Sequence, residues 1–93
     1  MEEQLWEACF HGKVEEVQKL LQNSNINTNW QRFSRVQSQL YGWTPLYAAC
    51  EKGHIEIVKL LLNDKRVDIN KVRYNGGKFY NFFSFFLRSL IIN

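Results

Sequence analysis

The chain has 93 residues, 45% of them hydrophobic, and a formal charge of +3 from twelve Lys and Arg against nine Asp and Glu. That length holds one domain with a modest core, and two cysteines are too few for the disulfide framework of a small secreted protein. No segment reaches the ~20 apolar residues that span a bilayer, and no dense basic stripe of the kind that follows a phosphate backbone is present.

From the N-terminus, the pattern predicts a helix over residues 2–11, whose Glu2, Glu3 and Glu7 favour its N-terminal half through the helix dipole. Gly12 ends it, and a second helix is expected over 14–22. Residues 30–41 follow, within "NWQRFSRVQSQLYG", and read as an extended loop with two arginines and no acidic residue. A second helix pair is expected over 45–52 and 55–63. Thr44 can cap the first of these with its hydroxyl, and Pro45 then fills a position where a missing N–H has no cost. Leu46, Ala49 and Cys50 form one apolar face, small enough at its end for close helix approach. Gly53 can take positive φ and reverse the chain. Beyond it, Ile55, Val58, Leu61 and Leu62 make an apolar stripe widened by Ile57 and Leu60, with Glu56 and Lys59 facing outward.

The two pairs match each other at a constant offset of 41 residues: Leu5 with Leu46, Ala8 with Ala49, Cys9 with Cys50, Gly12 with Gly53, Glu15 with Glu56, Val17 with Val58, Leu20 with Leu61, Leu21 with Leu62 and Asn29 with Asn70. Such self-similarity marks a repeat architecture, in which each unit presents an apolar face that it cannot bury alone. The expected stacking residues are Leu5, Ala8, Cys9, Val14, Val17, Leu20, Leu46, Ala49, Cys50, Val58 and Leu61.

The second unit resembles the ankyrin repeat family in its Thr44-Pro45-Leu46 start, its small pair Ala49-Cys50, its Gly53-His54 turn, its leucine-rich second helix and its closing Asp68-Ile69-Asn70. The resemblance covers roughly residues 2–76 and is densest over 41–70. Tyr47 departs from it, standing where a histidine is common, and the first unit lacks a Thr-Pro start, as expected of an N-terminal cap. The spacing departs as well, 41 residues against the usual ~33, and most of the surplus lies in residues 30–41. The resemblance implies an all-α solenoid of stacked antiparallel helix pairs with an extended finger loop between repeats. Its domain would span 1–76, with repeats at about 2–29 and 42–70.

At Gly76 the pattern fails. Gly77, Lys78, Phe79 and Tyr80 occupy the places of Trp43, Thr44, Pro45 and Leu46, and Phe83 stands where a small residue is needed. Residues 77–93 form an apolar tail that periodicity assigns to neither helix nor strand. It reads as a degenerate cap or as a third repeat truncated or shifted out of frame. The remnant is preferred, because a terminal repeat needs a polar outer face and the run of phenylalanines opposes one. Self-association through the tail is a consequence to test.

Chemistry-bearing residues are few. Cys9 and Cys50 occupy equivalent core positions and read as small hydrophobes. His11 and His54 flank the two turns at nonequivalent places and make no metal-ligand spacing with the cysteines. No phosphate-cradling glycine loop is present. No catalytic residue, cofactor or metal is expected. The low cysteine count and the lack of a signal peptide fit an intracellular, cytoplasmic setting, with the nucleus open.

Function is then expected from surface. The resemblance implies a noncatalytic protein-protein interaction module whose fingers and first helices line a concave face. On this chain that face would carry Trp43, Tyr47, Glu51 and Lys52, together with Phe10 and His11 at the matching places of the first unit. Trp30, Arg32, Phe33 and Arg35 could lengthen it. Trp43 is the first choice as anchor, since tryptophan, tyrosine and arginine tend to carry interface energy. A nucleic-acid-associated adaptor using the basic and aromatic inserted loop is the alternative.

Overall fold

The computed structural model describes residues 1–36, 39–68 and 73–75. Four helices form two antiparallel pairs, α1 (Glu2–His11) with α2 (Val14–Leu21) and α3 (Pro45–Glu51) with α4 (Ile55–Leu62). Between the pairs the chain makes strands β1 (Arg32–Val36) and β2 (Gln39–Trp43), and β3 (Arg73–Asn75) follows the second pair. The three strands build an antiparallel sheet in the order β1-β2-β3, with Arg32 opposite Trp43 on one side and Trp43 opposite Arg73 on the other.

Local chemistry sets the helix ends. Thr44 Oγ1 accepts the Tyr47 amide at 3.3 Å and Pro45 takes the first turn, the arrangement expected of a capping Thr-Pro pair. Gly12 and Gly53 both adopt left-handed φ, at 75° and 73°. In each case the next amide then reaches back to a helix carbonyl, Lys13 N to Ala8 O and His54 N to Ala49 O, both at 2.9 Å. Left-handed backbone of this kind favours glycine and satisfies carbonyls that would otherwise be orphaned.

The core lies between the two pairs. Leu5, Cys9 and Val17 from the first meet Leu46, Ala49, Ile57, Val58 and Leu61 from the second, all essentially without solvent exposure, and Ile26 closes the cluster from the connecting loop. Each full burial of a Val, Leu or Ile side chain is worth about 1.5–3 kcal/mol. Val14 and Leu20, expected in the stacking set, are only partly buried. Leu20 is the 41-residue counterpart of Leu61, which is fully buried. Ile55, expected on the apolar stripe, is 48% exposed while Ile57 is fully buried. Lying two residues before Ile57 places Ile55 about 200° around the helix from it.

The faces of the two pairs differ in a telling way. Where the second pair buries Pro45, Ala48 and Ile57, the first carries Gln4, Glu7 and Glu16 at the same offset, all three partly or fully exposed. At these three positions the outer face of the first pair is therefore polar, the character that suits a face in contact with water.

Polar contacts fasten the pairs where the apolar core ends. His54, at the start of α4, reaches the Phe10 carbonyl at 3.0 Å through Nε2. A carbonyl only accepts, so this nitrogen carries the proton. On the opposite side Arg66 donates to the Leu21 and Asn23 carbonyls at 2.6 and 2.7 Å, just past the end of α2, where cationic groups oppose the helix dipole favourably. Asp64 orients that guanidinium through Nε and Nη2, at 3.0 and 2.7 Å. Asn29 completes the clasp by donating to the Arg66 carbonyl and accepting the Asp68 amide.

The inserted segment, expected as an extended loop, is a β-hairpin. Phe33, Val36, Tyr41 and Trp43 are residue types that suit a pleated, half-buried surface, but Gln37-Ser38 offers none of the Asn-Gly type signals that announce a hairpin turn. The extreme tail, residues 76–93, and the link at 69–72 lie outside the described residues. The cap and truncated-repeat readings fall there.

Candidate interaction surface

The hairpin is joined to the first helix through Trp6. This side chain is 7% exposed, and its Nε1 donates to the Trp43 carbonyl at 3.0 Å. Its ring stacks on Phe10 one turn later, with centroids 5.1 Å apart and planes 13° from parallel. The Arg32 guanidinium lies 4.7 Å from the Trp6 ring centroid, close enough for attraction to the ring quadrupole. Arg32 also pairs with Glu7, and the other Glu7 oxygen meets His11 Nε2 at 3.1 Å. Arg32 first, and His11 after it, hold the Glu7 carboxyl below the usual glutamate range.

From Phe10 the contacts continue to α3. The ring meets His11 edge-on at 5.0 Å, and the Lys52 ammonium lies 4.7 Å from its centroid. Trp43, at the end of β2, meets Tyr47 edge-on with centroids 4.9 Å apart. Edge-to-face contact at this separation is a favoured aromatic geometry. The result is one connected band: Arg32 and Trp6 from hairpin and helix, Phe10 and His11, Lys52, then Trp43 and Tyr47. Two of its four aromatic rings carry a cation.

Six of the residues expected on the interaction face are thus brought together: Trp43, Tyr47, Lys52, Phe10, His11 and Arg32. Glu51 is exposed at the end of α3 beside Lys52. Trp30 and Phe33 line a separate hollow of about 540 Å³ with Glu3, Asn27, Asn29 and Gln31, which Arg32 also borders. Arg35 pairs through its backbone with Leu40. Trp6 and Glu7 were not among the expected residues, yet they link the others. The signal for Trp6 was present, since it matches Tyr47 at the 41-residue offset.

Glu7 is also not the simple dipole partner that its place in α1 suggested, and neither is Glu2. Glu2 accepts the Asn27 amide at 3.0 Å, which holds its carboxyl below the usual range and ties the start of α1 to the connecting loop.

The two thiols stand apart from this surface. Cys9 and Cys50 are free and buried, and burial pushes both up to about 12. At neutral pH they are thiols, whereas nucleophilic attack and metal ligation need the thiolate. Among the described residues no three His, Cys, Asp or Glu side chains gather as a metal site would require. No helix among them is long and apolar enough to cross a membrane.

A family model described as ankyrin repeats (3 copies) matches residues 2–73. No curated protein and no solved structure matches the chain.

Proposed function

Because the chain belongs to the ankyrin repeat family, whose repeats generally serve as protein-protein interaction modules, we propose that it is a noncatalytic binding module with the aromatic band as its docking surface. The observation that supports this reading is the band itself. Trp43, Tyr47, Phe10, His11 and Lys52 come from two helices and a strand, remain at least partly exposed, and are pre-ordered by mutual ring and cation contacts. Rings held in place before binding lose little rotamer freedom on association, which is how a small patch can act as an anchor. Glu51 and the hairpin residues Trp30, Arg32, Phe33 and Arg35 extend the surface at its two ends. The buried thiols fit an intracellular setting.

The nucleic-acid reading is the weaker one on charge. Arg32, one of the two arginines of the inserted segment, is neutralised by Glu7 and lies against Trp6. Phosphate binding needs cations that displace counterions, and its affinity falls steeply as salt rises.

The test is affinity capture from native lysate with the wild type and Trp43→Ala, identified by mass spectrometry and repeated with RNase and at raised salt. Circular dichroism of both proteins controls for folding. Partners that are lost with Trp43→Ala and survive RNase and salt support the reading. A partner set indifferent to Trp43→Ala removes Trp43 as the anchor, and one abolished by RNase favours the nucleic-acid alternative.

A further inference from the structure

The hydroxyl side chains differ in their surroundings. Thr28 and Thr44 are buried and Tyr47 is half-buried, whereas Ser24 and Ser34 are exposed. Ser24 lies in "LQNSNIN", with no charged residue within three positions of it. Ser34 lies in "WQRFSRV", two residues after Arg32 and one before Arg35. Kinases select their acceptors in part by the pattern of charge around them, and of these two serines Ser34 is the one with a basic pattern.

Strand geometry gives that hydroxyl a target. Side chains alternate along a strand, so Ser34 projects from β1 on the same face as Arg32. Two strand rises, about 7 Å, separate their Cα atoms, a distance that an arginine side chain spans. The Arg32 guanidinium is already engaged, by Glu7 and by the Trp6 ring. Both members of the ion pair are well exposed, Arg32 at 42% and Glu7 at 41%, and exposed pairs are held weakly. A phosphoserine carries close to two negative charges at neutral pH against one on a carboxylate, and its oxygens match the guanidinium fork. The existing pair is therefore one that a phosphate two residues away can displace.

We propose that Ser34 is a phosphorylation site for a kinase that reads basic residues, and that its phosphate takes Arg32 from Glu7. In the transfer, Ser34 Oγ attacks the γ-phosphorus of ATP, the new O–P bond replaces the bond to the departing ADP, and the hydroxyl proton passes to the kinase's general base. Glu7 then retains His11, and Trp6 loses the cation over its ring. Arg32 and Trp6 form the hairpin end of the aromatic band, so the modification regulates that band, and to this extent the inference rests on the reading of the chain as a binding module.

The experiment has two parts, both on the full chain. In the first, the chain is incubated with ATP and either of two kinases directed to basic sequences, the cyclic-AMP-dependent kinase and protein kinase C, and the modified residues are mapped by mass spectrometry. Phosphate on Ser34, lost in Ser34→Ala and with Ser24 unmodified, is the expected result. In the second, phosphoserine is encoded at position 34 and titrated by phosphorus and carbon NMR, with and without Arg32→Gln, circular dichroism controlling for folding. The phosphate should titrate lower when Arg32 is present, by about half a pH unit or more. Glu7, held low first by Arg32, should titrate higher once the phosphate is in place, and Arg32→Gln should remove most of the difference that the phosphate makes. No phosphate on Ser34, its transfer to Ser24 or Ser38 instead, a phosphate midpoint indifferent to Arg32, or a Glu7 midpoint unmoved by the phosphate would each overturn the proposal. None of these results bears on docking, since no partner protein is present, and the Trp43→Ala capture decides that reading separately.

Discussion

The imidazole of His54 fills the space beside Gly12: a Cβ placed on that glycine would lie 2.7 Å from the ring, while Nε2 of the same ring donates to the Phe10 carbonyl two residues earlier. The equivalent glycine of the second repeat, Gly53, has nothing within 4 Å of its would-be Cβ. Two glycines with nearly the same φ therefore have different neighbours.

That difference predicts unequal costs. Gly53→Ala should lose about 1 kcal/mol from left-handed strain alone. Gly12→Ala should lose more, because the His54 ring must also move and its hydrogen bond to Phe10, worth about 1 kcal/mol net, is broken. Chemical denaturation of both variants gives the comparison, and equal losses would deny His54 a role at the junction. Combining His54→Ala with Gly12→Ala should bring the cost of the glycine change back toward that at Gly53.

The Arg66 clasp predicts a pH dependence. Arg66 beside Asp64 holds the Asp64 carboxyl below its ordinary range of roughly 4. A carboxyl depressed in the folded state stabilises it fully above the unfolded pKa, and that contribution is lost as pH falls through the folded value. The stability gap between wild type and Asp64→Asn should thus be largest near neutral pH and close as pH drops from about 5 toward 2. Urea midpoints for both proteins across that range are the measurement. Glu2 and Glu7 are common to both and cancel. Arg66→Lys should weaken the clasp at every pH, because an ammonium cannot reproduce the guanidinium fork that joins Asp64 to two carbonyls.

Trp6 should be the residue on which the hairpin most depends. Trp6→Phe keeps a ring but removes the donor to Trp43, a loss of about 1 kcal/mol. Trp6→Ala removes the buried ring as well, which typically costs about 3–5 kcal/mol. Amide exchange read residue by residue should show β1 and β2 loosened more than α3 and α4 in Trp6→Phe. Uniform loosening would make Trp6 an ordinary core residue.

The repeat frame was legible because it rests on local, sequence-encoded events. Thr44 and Pro45 start α3, Gly12 and Gly53 reverse the chain, and a constant offset aligns the apolar positions. These need only neighbours a few residues away. The aromatic band was half legible. Residue type and repeat position pointed to Trp43, Tyr47, Phe10 and Lys52, but the groups that bind them into a band, Trp6 and Glu7, depend on where the hairpin folds back. Arg66 shows the same limit. Nothing about "NDKRVD" reveals that its arginine caps a helix 45 residues earlier in the chain, since that contact exists only once the two pairs are stacked. Ile55 and Ile57 lie on nearly opposite sides of α4, and only the direction in which that helix docks decides which is buried.

The polar outer face of the first helix pair gives the array a direction. A further unit laid against it would have to strip water from Gln4, Glu7 and Glu16, and burying carboxylates without partners costs several kcal/mol each. Treated as a one-dimensional polymer, the solenoid resists elongation at this face. Segments engineered ahead of α1 should therefore fold as independent bodies rather than join the stack cooperatively.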